Sequence, residues 1–553
     1  MKRRQPREEV TATPWPVALL CGAAGGVLAL LAFPPYDLWM LMPVALALLS
    51  IGVLTRSFLP ALLSSLAWGL AFFVPLTEWA NTYAGTMPWL ALGVVQSLYI
   101  VLYGLLARTV MVRRGLGAGS LVVVSALWVA VETLRSHVPW GGLPWGATGF
   151  ALADSPLLNL GPWIGMAGMA LVVAALGQLL VHGVLCVLGR RRRGLGGLAG
   201  VWPLAMAVAA VLATMVVPHP VNRAPDDRPS MTVAGAQGSM DPIDPGSMAM
   251  PEGVFENHLE VTHDVTAATQ EQGRQLELIV WPEDSTAYDP RLDPYRGEAL
   301  TDAAQQAGAP ILVGTQTPVG EEHRYNHSVL WTADGETPYV YAKRHPVPFG
   351  EFVPARDFFR MITDKVDLVG RDMLPGTEVG VMDLQELGLG EGRVGVLICF
   401  EIAYDTLTID TVREGAELVV VQSNNALFGD SHEAVQQLAE AKVLAVVTGR
   451  SVVHVSTVGH SAIFGPEGRR LDFVDHWEQG AVIAEVPLRT GITPAVAGGI
   501  WIAIGISAVG LLGWLGALTG PRRGVLRHVP AVAGRGEGSS RARAGVQDGR
   551  SSR

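Results

Sequence analysis

The sequence predicts a multi-pass membrane protein, with about eight transmembrane helices carrying one α/β domain outside the bilayer. Three observations predict this. The 553 residues are 49% hydrophobic and only 16% charged, against roughly a quarter charged in an ordinary soluble domain, and mean hydropathy is +0.32. Apolar runs of spanning length fill the first 217 residues, and one more follows a long polar interval. The charges are also sorted. Basic clusters fall at MKRRQPRE, Arg113-Arg114, residues 190–193 and the tail after Pro521, while acidic residues lie mostly between Asp226 and Glu485. A net charge of −10 distributed in this way argues against a nucleic-acid binder and for charge sorting across a membrane.

The first runs, residues 14–33 and 38–54, are separated only by PPYD, the pattern of a transmembrane hairpin rather than of a cleaved signal peptide. Runs at 59–76, 89–112, 121–134, 157–188 and 198–217 bring the number to seven, and residues 495–518 make the eighth; each is close to the ~20 residues needed to cross. Placing residues 1–13 in the cytoplasm puts Arg56, Arg113, Arg114, residues 190–193, Arg522 and Arg523 on that same side, as the positive-inside rule requires. The seven-helix region 14–217 then leaves residues 218–494 extracytoplasmic. Residues 495–518 cross back, and the Arg-, Gly- and Ser-rich tail 519–553 is expected to be cytoplasmic and disordered.

Two outer loops, TEWANTYAGTMPW and ETLRSHVPWGGLPWG, concentrate Trp, Pro and Gly. Single tryptophans of this kind are commonly interfacial anchors. Glu132 and Arg135, however, end an apolar span and need partners there, and together with Trp140 and Trp145 they suggest a lipid-facing vestibule. The polar interval alternates β-rich runs (MTVAGAQG, LELIVWPED, APILVGTQT, NHSVLWT, YVYAK, RVGVLICFE, ELVVVQSNN, SVVHVSTVG, GAVIAEV) with helical stretches at 254–272, 295–307, 404–414 and 432–448, which is an α/β domain.

Three of these strands end on an isolated reactive side chain: Glu283 after LIVWP, Lys343 after YVYA and Cys399 after GVLI. A lone cysteine at a strand end is more often buried packing than a nucleophile. Cys399, however, is the single cysteine of the polar interval, without a disulfide partner there, and Lys343 is one of only four lysines among 40 basic residues. An acid to take the thiol proton, an ammonium for an oxyanion and a thiol to form the covalent bond make a nucleophilic site. A lysine beside the thiol is expected to favour thiolate. The 13 histidines show no paired ligand spacing near these residues, so neither metal nor cofactor is expected.

WPED around Glu283, YAKRHPVPFGEFVP around Lys343, ICFE around Cys399 and GHSAIFGPEGR resemble the carbon-nitrogen hydrolase (nitrilase) superfamily. With the membrane frame and ETLRSHVPWGGLPWGATGF, the resemblance narrows to the apolipoprotein N-acyltransferase family. It implies a nitrilase-like αββα sandwich with a Glu283-Lys343-Cys399 triad. Cys399 would take an acyl chain from a phospholipid donor as a thioester and pass it to the N-terminal amine of a diacylglyceryl apolipoprotein. In that scheme Glu283 is general base and acid, Lys343 and the Phe400 N–H hold the oxyanion, Glu351 orients the triad, and Glu401 is a further acid beside the nucleophile. Phe400 replaces the tyrosine common in the family, and Leu427 a frequent tryptophan. The segment FVPARDFFRMITDKVDLVG, with Phe352, Phe358, Phe359, Met361 and Ile362, is expected to be a mobile arm that dips into the outer leaflet. Two rival readings share these motifs: a membrane-tethered amidase acting on a small amide, and a non-enzymatic lipoprotein-sorting protein.

Overall fold

The computed structural model describes residues 8–193, 202–220, 229–242, 253–361, 363–520 and 524–527. Residues 1–7, Ile362 and the tail apart from Gly524–Arg527 lie outside the described residues. That short stretch runs parallel to Glu8–Thr11.

Among the described residues, five helices are long and apolar enough to cross a membrane: Phe58–Leu76, Thr86–Arg114, Ala118–His137, Pro156–Leu185 and Ile500–Thr519. Trp15–Leu30, Leu41–Val53 and Trp202–Thr214 are apolar but shorter. In several of the expected runs the apolar composition extends beyond the helix. Residues 31–40 turn at Pro34 and Pro35, neither of which offers a backbone N–H, although Leu31, Phe33, Leu38 and Met40 keep the stretch apolar. Run 157–188 likewise opens in a 3₁₀ turn, Pro156–Leu160, and bends at Gly165 (φ 65°, ψ −174°). Small residues allow close helix contact: a Cβ on Gly26 would stand 2.2 Å from the Trp68 carbonyl oxygen.

Glu132 and Arg135 do have partners. Glu132 accepts from the Thr148 N–H (2.9 Å) and hydroxyl (2.6 Å). Arg135 donates to the carbonyls of Leu143 (2.7 Å) and Trp145 (2.8 Å) and to Gln96 (3.2 Å). The pair therefore ties the second half of the PWGGLPWG loop, and Thr148 just after it, to the helix that precedes it.

The polar interval folds as two facing sheets. In the first, the order is Gly480–Pro487, Ser230–Gln237, Leu278–Val280, Ile311–Val319, His323–Thr332, Gly335–Ala342, with Asp372–Met373 added beside His323–Thr332. In the second it is Arg470–Val474, Ser461–Phe464, Ser451–Ser456, Leu418–Ser423, Arg393–Ile398, Val381–Asp383. The period-two pattern of each strand sorts its side chains between layers. Ile279, Trp281, Ile311 and Val313 lie with Phe255, Leu300 and Ala303 of the outer helices Val254–Glu271 and Pro294–Ala307, whereas Leu278, Val280 and Leu312 join the core shared with the second sheet. The sheets approach closely: a Cβ on Gly235 would lie 2.5 Å from Val455 Cγ2. On the other side Asp405–Arg413 and Glu433–Thr448 cover the second sheet. Glu433–Thr448 also touches the membrane helices, through a Trp145–Gln436 hydrogen bond of 2.7 Å and a Lys442–Asp154 ion pair. A helix held between sheet and bundle explains why its burial runs almost all the way round.

Candidate active site

The Arg393–Ile398 strand runs in register between neighbours, and its last side chains are buried. The chain then turns sharply: Cys399 has φ +53° and opens the 3₁₀ turn Cys399–Ala403. A non-glycine residue in this left-handed region is held there by its surroundings. Glu401 supplies the restraint. Its carboxylate accepts from the N–H groups of Ile398 (2.8 Å), Arg344 (2.6 Å) and His345 (3.1 Å), and from the Tyr341 hydroxyl (2.9 and 3.0 Å to its two oxygens). Ile398 ends a strand of the second sheet and Arg344 follows one of the first, so one buried carboxylate ties the turn at Cys399 to the strand end at Lys343.

Lys343 Nζ donates to Glu351 at 2.6 Å and to Glu283 at 3.3 Å. Glu283 also accepts from Asn326 Nδ2 at 2.6 Å, and Glu351 from the Val347 N–H at 2.7 Å. The structure thus brings Glu283, Lys343, Glu351 and Cys399 together, each on a different segment, with Glu283, Lys343 and Cys399 all buried. Burial pushes the Glu283 carboxyl up to about 7; Lys343 opposes this, Asp284 and Glu351 add to it, and the Cys399 thiol is a hydrogen-bonding neighbour. For Lys343, burial disfavours the charge, but Glu283 and Glu351 more than offset it and hold the ammonium well above its usual range. Burial and then Glu283 push the Cys399 thiol well above its ordinary value against the pull of Lys343. Lys343 thus favours the thiolate, as expected of a lysine beside a thiol, but burial and Glu283 outweigh it and favour the thiol.

Gln437, on the helix behind Cys399, went unseen in the sequence. Its Nε2 lies 3.8 Å from Cys399 Sγ, while its Oε1 accepts from the Ser423 hydroxyl (2.6 Å) and Asn425 Nδ2 (3.0 Å) and stands 3.2 Å from His454 Nε2. The available signal was a Gln436-Gln437 pair interrupting the apolar stripe of Val435, Leu438 and Ala439. Asn326 and Tyr341 were equally invisible, because a strand polar residue gives no hint of which carboxylate it will meet.

A cavity of about 320 Å³ opens over Cys399, with Glu283 and Lys343 on one side and Trp79, Tyr83 and Phe428 on another. Phe400 sits in an aromatic cluster, its ring centroid 4.7 Å from Trp145, 5.3 Å from Trp79 and 5.9 Å from Phe428. Trp145, expected at a lipid access route, is corrected to a buried support: it is 1% exposed and hydrogen-bonded to Gln436 beneath Phe400. Trp140 is half exposed and meets Phe349 and Phe359 edge-on at 5.7 and 6.0 Å. Phe358 is exposed on the short helix Arg356–Arg360. Phe359 instead packs on Val353, Val366 and Val369, so the two phenylalanines, read together as a lipid-dipping pair, play different parts. Among the described residues no group of three or more His, Cys, Asp and Glu could hold a metal ion.

Residues 25–179 match the apolipoprotein N-acyltransferase N-terminal domain, and residues 232–492 match carbon-nitrogen hydrolase. An apolipoprotein N-acyltransferase of Mycolicibacterium smegmatis is 32% identical over 86% of this chain and 81% of its own. One of Pseudomonas syringae is 29% identical over 91% and 97%. Among solved structures, an amidase of the nitrilase superfamily from Nesterenkonia covers 48% of this chain and 93% of that chain, at 18% identity and a TM-score of 0.34. With both halves matched and a relative of this identity spanning most of both sequences, the chain belongs to the apolipoprotein N-acyltransferase family.

Proposed function

We propose that this protein transfers a fatty acyl chain from a membrane phospholipid, through a thioester on Cys399, to the α-amino group of the diacylglyceryl-cysteine that begins an apolipoprotein. One observation carries the reading beyond the relatives' name: the buried Cys399, Glu283 and Lys343, with the partly buried Glu351, face a cavity whose remaining wall includes Trp79 and Tyr83 from the membrane half. A small soluble amide has no use for that wall. The order of events follows from the geometry. Glu283 takes the thiol proton as Cys399 Sγ attacks the ester carbonyl, so no free thiolate need persist in a site that disfavours it. The oxyanion lies against the Lys343 ammonium and the Phe400 N–H. Collapse breaks the ester C–O bond, and Glu283 returns its proton to the departing lysophospholipid alkoxide. The apolipoprotein amine then attacks the thioester, Glu283 takes the amine proton, the C–S bond breaks, and Cys399 is reprotonated. Glu351 keeps Lys343 aimed, and Glu401 fixes the turn that presents Cys399.

In this reading the three shorter apolar helices join the five long ones, so that 14–217 holds seven crossings and 495–518 the eighth. The catalytic domain 218–494 then lies outside the plasma membrane, with the basic clusters inside. Trp140 and the exposed Phe358 meet the outer leaflet. Mass spectrometry of the purified protein after incubation with phospholipid tests the chemistry. A fatty-acyl adduct on Cys399, discharged by a diacylated lipopeptide with a free N-terminus and absent in Cys399→Ala, is the expected result. No adduct, together with hydrolysis of simple amides, would overturn it in favour of a tethered amidase.

A further inference from the structure

The two cations lining the cavity are placed differently. Lys343 is held by two carboxylates. Arg324, near the start of the His323–Thr332 strand, donates through Nη1 to Gln316 Oε1 (2.8 Å), and Gln316 Nε2 in turn donates to Asp284 Oδ1 (2.8 Å). Its Nε is buried without a hydrogen-bond partner, and no ion pair to its guanidinium is found among the described residues. The guanidinium is therefore oriented through the neutral Gln316, with the Asp284 carboxylate beyond it, while part of its donor fork stays unused, a costly arrangement unless a ligand completes it. The cavity is also two-sided. Trp79, Tyr83 and Phe428 offer apolar surface, whereas Asp284, Gln316 and Arg324 offer polar groups from the first-sheet side.

We infer that Arg324 is the subsite for the phosphodiester of the acyl donor, accepting the lipid phosphate on its guanidinium while the ester carbonyl reaches Cys399 and the acyl chain follows the aromatic wall. The inference rests on the phospholipid-donor reading above and names which part of the donor the polar wall recognises. A phosphodiester stands only a glycerol backbone away from the reacting ester, so a donor seated at Cys399 must place its one obligatory anion in or beside this cavity. A forked, permanently charged guanidinium matches paired phosphate oxygens better than a lysine would.

The test compares acyl-enzyme formation from phosphatidylglycerol, which has a phosphate but no headgroup amine, and from diacylglycerol, which has the same esters and no phosphate. In the wild type, kcat/KM for the phospholipid should exceed that for diacylglycerol, and in Arg324→Gln this ratio should fall at least tenfold, mainly through KM. Arg324→Lys should recover part of the ratio, and Gln316→Leu, which removes the orienting acceptor, should lower it less than Arg324→Gln does. An unchanged ratio in Arg324→Gln, or equal losses on both lipids, overturns the inference while leaving the acyltransferase reading intact. Failure of the wild type to form any adduct overturns that reading instead. Inorganic phosphate added as a competitor distinguishes the other source of the anion: inhibition of diacylglycerol turnover that disappears in Arg324→Gln, without any ratio change, would assign the site to free phosphate and overturn the lipid assignment.

Discussion

Replacing Glu401 by glutamine should detach the nucleophile's turn from the lysine strand. The carboxylate accepts three backbone N–H groups and the Tyr341 hydroxyl, and it is fully buried. A glutamine has one acceptor oxygen. In its best orientation that oxygen keeps Arg344 and His345, and the amide NH₂ faces the Ile398 N–H, donor against donor. One charge-assisted bond is lost and a buried N–H is stranded; these costs overlap, and together they come to about 3 kcal/mol. Because Ile398 adjoins Cys399 and Arg344 adjoins Lys343, the cost falls on the alignment of thiol and ammonium. Hydrogen exchange of the amides around residue 398 should accelerate roughly a hundredfold, at 1.4 kcal/mol per factor of ten, and acylation of Cys399 should fall in parallel. Tyr341→Phe removes one donor and no backbone partner, so it should cost only about 1 kcal/mol. Unaltered protection near residue 398 combined with normal acylation would refute the reasoning, as would a larger effect from Tyr341→Phe than from Glu401→Gln.

Acyl-enzyme formation should depend on pH through Glu283. Its carboxyl is pushed up to about 7, and only the ionised form accepts the thiol proton, so kcat/KM should rise as pH passes upward through about 7. Glu351→Gln removes a negative neighbour that raises this value, so the midpoint should shift to lower pH even as the rate falls; a shift to higher pH would contradict the placement. Gln437→Leu strips the donor near Cys399 Sγ and leaves Ser423 and Asn425 short of an acceptor. It should cost about 1–3 kcal/mol in thermal stability and slow acylation, measurable as adduct formed per unit time. Trp145→Ala should destabilise the contact between the two halves by about 3–5 kcal/mol, read as a lowered melting temperature in detergent. Phe358→Ser should leave stability within about 0.5 kcal/mol, and Phe359→Ser should lower it more, because only Phe359 packs on Val353, Val366 and Val369; equal effects would deny the split.

Periodicity and composition were enough to determine the apolar helices, the order of the principal strands and the three strand-end residues Glu283, Lys343 and Cys399. These are local properties: apolar run length, period-two alternation and a polar residue where a buried strand stops. Short strands such as Val381–Asp383 and Arg470–Val474 were not legible, since their identity depends on the neighbour they pair with rather than on their own few residues. The same limit applied at the site. That the Cys399 thiol is pushed up was decided chiefly by its burial and by Glu283 beside it, and a nearby lysine in the sequence carries no information about desolvation. Trp140 and Trp145 stand in near-identical PWG contexts, yet one is half exposed and the other is sealed beneath Phe400, because the Glu433–Thr448 helix docks on only one of them. The sequence by itself determined which family the chain resembles and which strand ends carry Glu283, Lys343 and Cys399. Only the tertiary structure decided which charges are paired, which aromatic residues are walls and which way burial pushes the thiol and the carboxyl, because each of those depends on burial and on partners far away along the chain.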